Sequence, residues 1–260
     1  MPRSDISVVH LVWGPLGTPA LERFAASYRA RPGGIPHRLA VLFNGVEAGD
    51  EDAFQAALGD LQYESVHLSR RMLDLAAYIA AARQLDAEYL CFLNSYSEPL
   101  DDEWLAKLTG QLTAPGVGLV GAAGSYESPA TNAPLVARPF RRLQFPAFPN
   151  PHIRTNAFML RRETMLALDW PEVQTKTAAW KLESGKDGIT QQVWAAGLRA
   201  LVVGRDGEAY DRDRYHESNT FRRGRQANLL VADNRTRDFD EADPERRRWL
   251  AELAWGKGAG

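Results

Sequence analysis

Tyr89-Leu90-Cys91-Phe92-Leu93-Asn94-Ser95-Tyr96-Ser97-Glu98-Pro99 is the stretch of sequence that decides the fold. Its first five residues are apolar or aromatic without interruption, which is typical of a strand buried on both faces of a sheet. The polar residues and the proline that follow indicate a loop at the end of this strand. An alanine-rich amphipathic pattern over residues 74–85 predicts a helix before it. The stretch therefore predicts a helix leading into a buried parallel strand.

The same alternation of strand and helix patterns extends through the first half of the chain. Further strands are predicted over residues 6–13, 38–43, 65–68 and 117–122, with helical patterns between most of them. Strands that alternate with helices form mainly parallel sheets, because right-handed crossovers return the chain to the same edge. We therefore expect an α/β fold of Rossmann-like type, with a mixed, mainly parallel sheet flanked by helices.

The alternation weakens beyond Gly124. Residues 129–151 contain six prolines and several aromatic residues, which predicts a long ordered loop lying over a face of the sheet. Residues 155–160 and 200–203 predict further strands, and residues 188–196 and 243–254 predict helices. We expect residues 1–205 to form the main domain and residues 206–260 an extension packed on it.

The composition argues against several classes of protein. The chain has 260 residues, of which 45% are hydrophobic and 25% charged, as in ordinary globular proteins. A formal net charge of -2 gives no overall attraction for nucleic acid or an anionic membrane, although a local basic patch is compatible with it. No stretch approaches the roughly 20 apolar residues that cross a bilayer, and no signal-peptide pattern is present, so we expect a cytoplasmic protein.

The carboxyl ends of the predicted parallel strands are the expected binding region of an open α/β sheet. They select Trp13 and Gly14 after the first strand, Asn44 after the second, and residues 94–98 after the fourth. Gly14-Pro15-Leu16-Gly17 does not match the dinucleotide pattern Gly-x-Gly-x-x-Gly, and the chain has no Walker-type lysine loop. We therefore expect no organic cofactor.

The order of elements, residues 89–99, and Glu183 followed by a helix ending in Ala196-Gly197-Leu198 resemble family 2 glycosyltransferases of GT-A type. The resemblance covers about residues 6–205, which would form a nucleotide-sugar-binding and catalytic domain. Residues 118–128 and 154–159 also resemble proteins of bacterial surface-polysaccharide loci. The resemblance implies transfer of a sugar from a nucleotide-diphosphate donor to a saccharide acceptor, with inversion, in surface polysaccharide synthesis.

The family's metal-binding motif is altered in this chain. In the family, two aspartates after the fourth strand hold a divalent cation against the donor diphosphate. Here these positions are Asn94 and Tyr96, and Glu98 is the nearest carboxylate. Three explanations are open. Glu98 binds Mg²⁺ or Mn²⁺ with a later residue such as His216, side chains such as Arg154 neutralise the diphosphate, or the chain is an inactive binding or scaffolding protein.

The resemblance also implies an acidic residue that removes the proton of the acceptor hydroxyl. Glu183 is the candidate for this catalytic base. Asp187 is a second catalytic candidate, although it is also placed to cap the helix over residues 188–196.

The candidate donor-binding residues lie at the strand ends. We expect the loops after Trp13, Phe43 and Leu93 to converge at one rim and to form a pocket for a diphosphate ligand. Trp13 would stack on the nucleotide base, and the other expected contacts are Gly14, Asn44, Asn94, Tyr96, Glu98 and Arg154. Asparagine also ends strands in turns, so Asn44 and Asn94 have a structural interpretation too. The aromatic residues of the C-terminal extension would pack on the domain or form a homo-oligomer.

Overall fold

The computed structural model describes residues 5–47, 49–68, 70–171 and 175–258. Its strands in this part of the chain are β1 Ile6–Trp13, β2 Arg38–Asn44, β3 Glu64–His67, β4 Tyr89–Leu93, β5 Glu98–Pro99, β6 Val117–Gly121, β7 Gly124–Ser125, β8 His152–Ile153, β9 Ala157–Arg161, β10 Arg199–Val203, β11 Ala209–Tyr210 and β12 Val231–Ala232.

The helices lie between these strands and at the C-terminal end. They are α1 Pro19–Ala30, α2 Glu51–Leu58, α3 Asp74–Gln84, α4 Trp104–Leu112, α5 Pro129–Asn132, α6 Arg138–Gln144, α7 Arg162–Ala167, α8 Lys176–Ser184, α9 Ile189–Ala195, α10 Asn234–Glu241 and α11 Pro244–Trp255. None of the helices in the described ranges is long and apolar enough to span a membrane.

The described strands form a main sheet in the order β11-β10-β6-β9-β4-β1-β2-β3. β1 pairs in parallel with β2 and β4, β2 with β3, and β6 with β10. β9 runs antiparallel to β4 and β6, and β11 antiparallel to β10. The mixed, mainly parallel sheet confirms the predicted fold class. Because of these strand directions, the amino end of β9 lies at the same edge of the sheet as the carboxyl ends of β1, β2, β3, β4, β6 and β10.

Both faces of the sheet are buried, which explains the uninterrupted apolar strands. In β1, Val9 and Leu11 pack in one hydrophobic core, and Val8 and Val12 pack in the other. The first core includes side chains of α3, α7, α8 and α9, whereas the second includes those of α1, α2 and α4. The protein is thus a three-layer structure with its polar loops at the sheet edges.

The segment over residues 129–151 differs from the predicted loop, because it contains α5 and α6. Ser128 caps α5 by accepting a hydrogen bond from the Ala130 N–H, and Pro129 occupies the first turn. Pro139 lies in the first turn of α6. Proline is well tolerated in a first helical turn, so the high proline content did not exclude helices here.

Glu183 also lies in a different element from the one expected. The sequence places it in a polar stretch before a helix, whereas the structure places it in the last turn of α8. Thr175 caps this helix by accepting from the Ala178 N–H. The capping threonine is the local signal for α8 that the sequence analysis did not use.

Residues 206–260 contact the main sheet region at several points. β12 pairs antiparallel with β5, which places Ala232 opposite Glu98. The Ala254 carbonyl accepts a hydrogen bond from the Tyr126 N–H at 2.8 Å. The pairing of β12 brings the start of α10 beside the loop that follows β4.

Candidate functional site

The loops after β1 and β2 touch at Gly14 and Gly45. A Cβ atom on Gly14 would lie 2.1 Å from the Gly45 carbonyl oxygen, so only glycine fits there. The loop after β4 is close as well, because Ser95 shares a pocket with Trp13 and Leu16. The three loops therefore meet at one edge, as expected.

The volume between these loops is nearly filled, which differs from the expected pocket. The space between the ends of β1 and β4 is only about 10 Å³. Apolar and aromatic side chains occupy this region, including His10, whose ring stacks on Phe24 at 3.6 Å. The larger openings at this edge lie on either side of the filled point.

Asn44 has a structural role instead of the expected donor contact. Its side chain is fully buried, and its Nδ2 donates to the Met72 carbonyl at 2.7 Å. The Met72 N–H donates back to Asn44 Oδ1 at 3.0 Å. Because both ends of the amide bond to Met72, Asn44 fixes the segment before α3, and its buried side chain lines neither of the two larger openings.

One opening is a groove at the ends of β2 and β3. It has a volume of about 260 Å³ and is lined by Phe43, Gly45, Val46, Glu47, His67, Leu68, Arg70 and Arg71. The ring of Phe43 stacks on His67 with centroids 5.1 Å apart. The Arg71 guanidinium lies 5.7 Å from the centroid of the Trp13 ring. Flat rings beside a guanidinium form a surface on which another planar ring can stack.

Asn94 and Tyr96, at the altered motif positions, form a turn. Asn94 Oδ1 accepts from the Tyr96 N–H at 2.9 Å and from Ser97 Oγ at 3.0 Å. The Tyr96 side chain is partly exposed beside this turn. Asn94 is therefore held in an Asx turn, in line with its structural interpretation.

Two arginines neutralise Glu98, so its carboxylate is not free to bind a metal ion. Its Oε1 lies 3.1 Å from Arg23 Nε and 2.7 Å from Arg237 Nη1, and its side chain is 19% exposed. His216 instead contacts the Tyr126 hydroxyl through Nδ1 at 3.2 Å. Among the described residues, no group of three or more His, Cys, Asp or Glu side chains could hold a metal ion. These donors do not fit a resident divalent ion.

Residues 154–156 connect the β4 loop to Glu183. The Asn156 carbonyl accepts from the Asn94 N–H at 2.9 Å and from Ser97 Oγ at 2.8 Å. Thr155 donates to Glu183 Oε1 from its N–H and its Oγ1, each at 3.0 Å. Because β9 runs antiparallel, this turn lies before its first residue at the carboxyl edge of the neighbouring strands.

Glu183 forms part of the wall of the second opening, a cavity of about 350 Å³. The cavity lies below α5 and α6 and beside the turn at residues 154–156. Its lining residues are Ser125, Glu127, Pro129, Asn132, Ala133, Pro134, Ala137, Arg141, His152, Arg154, Trp180, Glu183, Ser184, Phe221 and Arg235. Three arginines and two glutamates therefore face the same space as aromatic side chains.

Glu183 is ionised near neutral pH. Burial raises the pKa of its carboxyl, but His152, the Thr155 N–H, Arg154 and Arg235 outweigh burial and hold that pKa below its ordinary value. Burial lowers the pKa of His152, and the charge of Glu183 opposes this lowering only in part. The Arg154 and Arg235 guanidinium groups add positive charge to the cavity wall, and Glu183 is available as a proton acceptor.

Arg154 is a buried cation with unused hydrogen-bonding capacity. Its Nη2 lies 2.7 Å from Asp233 Oδ2, and its guanidinium lies 4.0 Å from the Phe221 ring centroid. Its Nη1, like both amide atoms of Asn156, is buried without a hydrogen-bond partner in the described structure. Buried polar groups are nearly always bonded, so unpaired donors at a cavity wall indicate an anionic or polar ligand.

Solved structures with a similar fold include a mannosyltransferase from Pyrobaculum calidifontis in complex with GDP-mannose and Mn²⁺. It is 15% identical, with a TM-score of 0.53, and the match covers 84% of this chain. The chain has a GT-A-like fold. It spans 60% of the length of the mannosyltransferase chain.

Two other similar structures have lower TM-scores. Glucosyl-3-phosphoglycerate synthase from Mycobacterium tuberculosis is 20% identical, with a TM-score of 0.42, and the match covers 63% of this chain and 57% of that one. TarS from S. aureus is 10% identical, with a TM-score of 0.45 and coverages of 68% and 53%. No protein-family model matches the chain, and neither does any curated protein.

Asp187 lies outside the cavity of this GT-A-like domain. It is exposed, whereas Glu183 is half-buried in the cavity wall. Its expected capping role is wrong, because the residue at the N-cap of α9 is Gly188 and no side chain caps that helix. The α9 helix begins one residue too late for Asp187 to occupy the capping position.

Several cavity residues of the GT-A-like domain were not found by sequence analysis. Arg235 reaches the cavity from α10, and Trp180 from α8. The start of α10 carries a capping box, in which Asp233 accepts from the Thr236 N–H and the Thr236 hydroxyl accepts from the Asp233 N–H. The spacing of Asp233 and Thr236 is a helix signal, but nothing local connects that helix to β4.

Proposed function

We propose that the chain is a glycosyltransferase that moves a sugar from a nucleotide-diphosphate donor to a saccharide acceptor. One observation carries the proposal: an ionised carboxylate, Glu183, lies in the wall of a cavity of about 350 Å³ together with Arg154 and Arg235. A proton acceptor beside fixed positive charge suits a reaction in which a hydroxyl attacks and a diphosphate leaves.

The donor would extend from the groove to the cavity. The nucleotide base suits the groove beside Trp13 and Arg71, where flat rings are available for stacking. Arg71 lines the groove, and Asp74, three residues later, is near enough to Glu183 for that charge to raise its pKa in addition to the larger effect of burial. Three residues span at most roughly 10 Å, so the donor would bridge the two openings along this segment. The diphosphate would then lie at the cavity, facing Arg154 and Arg235.

Arginines provide the positive charge for the departing diphosphate in this proposal. Arg154 and Arg235 line the cavity, and Arg154 has an unpaired Nη1. A guanidinium can donate two parallel hydrogen bonds to phosphate oxygens. The Mn²⁺ in the mannosyltransferase structure agrees with the expectation that Mg²⁺ or Mn²⁺ can serve in this fold. Besides a metal ion, the arginines are a second source of positive charge, and this chain supplies them itself.

The reaction would proceed by direct displacement. The acceptor hydroxyl oxygen forms a bond to the anomeric carbon, and the bond from that carbon to the diphosphate oxygen breaks. The diphosphate keeps the electron pair, and Glu183 takes the hydroxyl proton. Attack from the face opposite the leaving group inverts the anomeric carbon. The resemblance of residues 118–128 and 154–159 to surface-polysaccharide proteins supports a bacterial surface glycan as the product.

The experiment that tests the function is turnover with a panel of nucleotide sugars and saccharide acceptors, with binding of UDP, GDP and dTDP measured by calorimetry. We expect at least one nucleotide diphosphate to bind and its sugar to be transferred. Absence of binding by all three would favour the binding or scaffolding protein, for which the altered positions Asn94 and Tyr96 are the motivation.

Removal of metal is expected to leave transfer nearly unchanged. Because Glu98 is paired with Arg23 and Arg237, the protein's own charge balance does not depend on a divalent ion. The rate in EDTA should therefore stay within about twofold of the rate with added Mn²⁺ or Mg²⁺, as Coulomb stabilisation comes from fixed guanidinium groups. If EDTA abolishes transfer and Mn²⁺ restores it, that result would contradict the arginine proposal and favour a metal ion carried by the donor.

Replacing Arg71 by alanine is expected to weaken nucleotide binding about two- to fivefold, since a stacked guanidinium at an exposed site contributes about 0.5–1 kcal/mol. Calorimetry with the preferred nucleotide diphosphate measures the change. Arg83→Ala is the matched control, because Arg83 is exposed in the last turn of the adjacent helix α3. If both variants bind the nucleotide with the affinity of the parent protein, the nucleotide base does not bind in this groove.

A further inference from the structure

An unusual apolar surface lies on the segment that covers the cavity. Among the described residues, four of the seven exposed large hydrophobic side chains lie within residues 135–143. Leu135 is 75% exposed, Val136 84%, Phe140 72% and Leu143 75%. We call these four side chains the outer face. Large hydrophobic side chains that are clustered and exposed indicate a docking surface, whereas scattered ones need no explanation.

Three members of the outer face follow the spacing of one side of a helix. Phe140 and Leu143 are three residues apart in α6, and Val136, in the 3-10 turn just before α6, is four residues from Phe140. Leu135 adjoins Val136 in the same turn. Pro134, Ala137 and Arg141 from the same segment line the cavity. The segment therefore has an inner side toward the cavity and an outer apolar side.

Positive charge accompanies this surface. Residues 129–151 contain Arg138, Arg141 and Arg142 and no acidic residue, in a chain whose net charge is -2. Arg142 is exposed beside the outer face. The exposed Lys186 is adjacent as well, since its N–H donates to the Gln144 carbonyl at the end of α6, and Asp187 is the acid next to it. An apolar stripe with basic residues at its border is complementary to an anionic lipid surface.

We propose that the outer face docks on an anionic membrane surface, with Leu135, Val136, Phe140 and Leu143 in the headgroup region and Arg142 against lipid phosphates. Docking needs no spanning helix, because the side chains enter only the interface. It also orients the protein so that the wall of the cavity made by α5 and α6 faces the bilayer. If the proposed transfer function holds, the acceptor saccharide is carried on a membrane lipid.

The test is flotation of the purified protein with two kinds of vesicle, phosphatidylcholine alone and phosphatidylcholine mixed with phosphatidylglycerol. We expect binding to the mixed vesicles and at least tenfold weaker binding to the neutral ones. The variant Phe140→Ser/Leu143→Ser should lose binding by at least tenfold, since each buried side chain contributes strongly to insertion. Arg142→Gln should bind about fivefold more weakly, and added salt should reduce that difference.

The matched control is Trp249→Ser, because Trp249 is 56% exposed on α11, away from the outer face in sequence. It should float like the parent protein. Unchanged melting of the Phe140→Ser/Leu143→Ser variant would show that it remains folded. Equal flotation of this variant and the parent, or no flotation at all, would overturn the proposal. So would a homodimer in solution that this variant dissociates. Transfer to a soluble acceptor is a separate readout, and we expect the variant to keep it.

Discussion

Replacing Glu183 by glutamine is expected to lower kcat by about 10²–10⁴-fold, the range for loss of a general base. Glutamine keeps the size of the side chain and one oxygen that can accept from Thr155, so the turn at residues 154–156 should be preserved. It cannot take a proton from the acceptor hydroxyl. The measurement is steady-state transfer with the preferred donor, combined with calorimetry to establish that donor binding is retained.

The control for this variant is Asp187→Asn, which alters an exposed carboxylate outside the cavity. We expect its kcat to stay within about twofold of the parent value, since surface carboxylates away from the reacting atoms contribute little to catalysis. The pH profile gives a second readout. Transfer should fall as pH decreases through the pKa of Glu183, which lies below its ordinary value, and Glu183→Gln should remove this acidic limb. Unchanged turnover in Glu183→Gln would exclude Glu183 as the base.

The second large effect is on stability. Arg154→Met is expected to lower the free energy of unfolding by about 3–5 kcal/mol, because removing one partner leaves a buried charge uncompensated. The Arg154 side chain is 8% exposed and that of Asp233 is 1% exposed, with 2.7 Å between them. Urea unfolding followed by circular dichroism measures the loss. The variant should also lose transfer, since Arg154 lines the cavity.

A double variant distinguishes the effect of the unpaired charge on stability from the effect of the helix cap. Asp233→Asn keeps an oxygen for the Arg235 and Thr236 N–H groups, so Arg154→Met/Asp233→Asn should recover most of the lost stability. Arg246→Met is the matched control, because it breaks an exposed pair with Asp238 at 2.8 Å and should cost less than about 1 kcal/mol. Equal losses in Arg154→Met and Arg246→Met would contradict the importance of the buried pair.

The same pair predicts the direction of acid destabilisation. Burial raises the pKa of Asp233, but Arg154, the Thr236 N–H and Arg235 outweigh burial and lower it below its ordinary value. A lowered pKa in the folded state means that the stabilisation is complete above the ordinary carboxyl pKa and is lost as pH falls through the lowered one. Asp233→Asn should therefore flatten the acid side of the stability profile.

Local sequence patterns determined the elements and the fold class. The uninterrupted apolar residues of β1 and β4 predicted strands buried on both faces, and the helical period before β4 predicted α3. Short-range patterns suffice here, because burial on two faces requires apolar side chains at every position of a strand. The rule that ligands bind at carboxyl ends of parallel strands also selected residues 94–98, which bond to the turn at residues 154–156 beside the cavity but do not line it.

The composition of the site depended on contacts between distant parts of the chain. Asn44 looks like a donor ligand in sequence, but Met72 uses both ends of its amide. Glu98 looks like a free carboxylate, but Arg23 and Arg237 neutralise it. No local pattern reveals such partners, because the energy of a polar group is set by whatever folding brings next to it.

By itself, the sequence determined that this protein is a mainly parallel α/β sheet with its polar loops at one edge, since the period of apolar residues is a local property. The tertiary structure alone decided which charged groups share the cavity. Arg235 meets Glu183 because β12 pairs with β5 and because β9 reverses direction beside β4. Both pairings join residues far apart in the chain, and long-range pairing is set by the packing of the whole sheet.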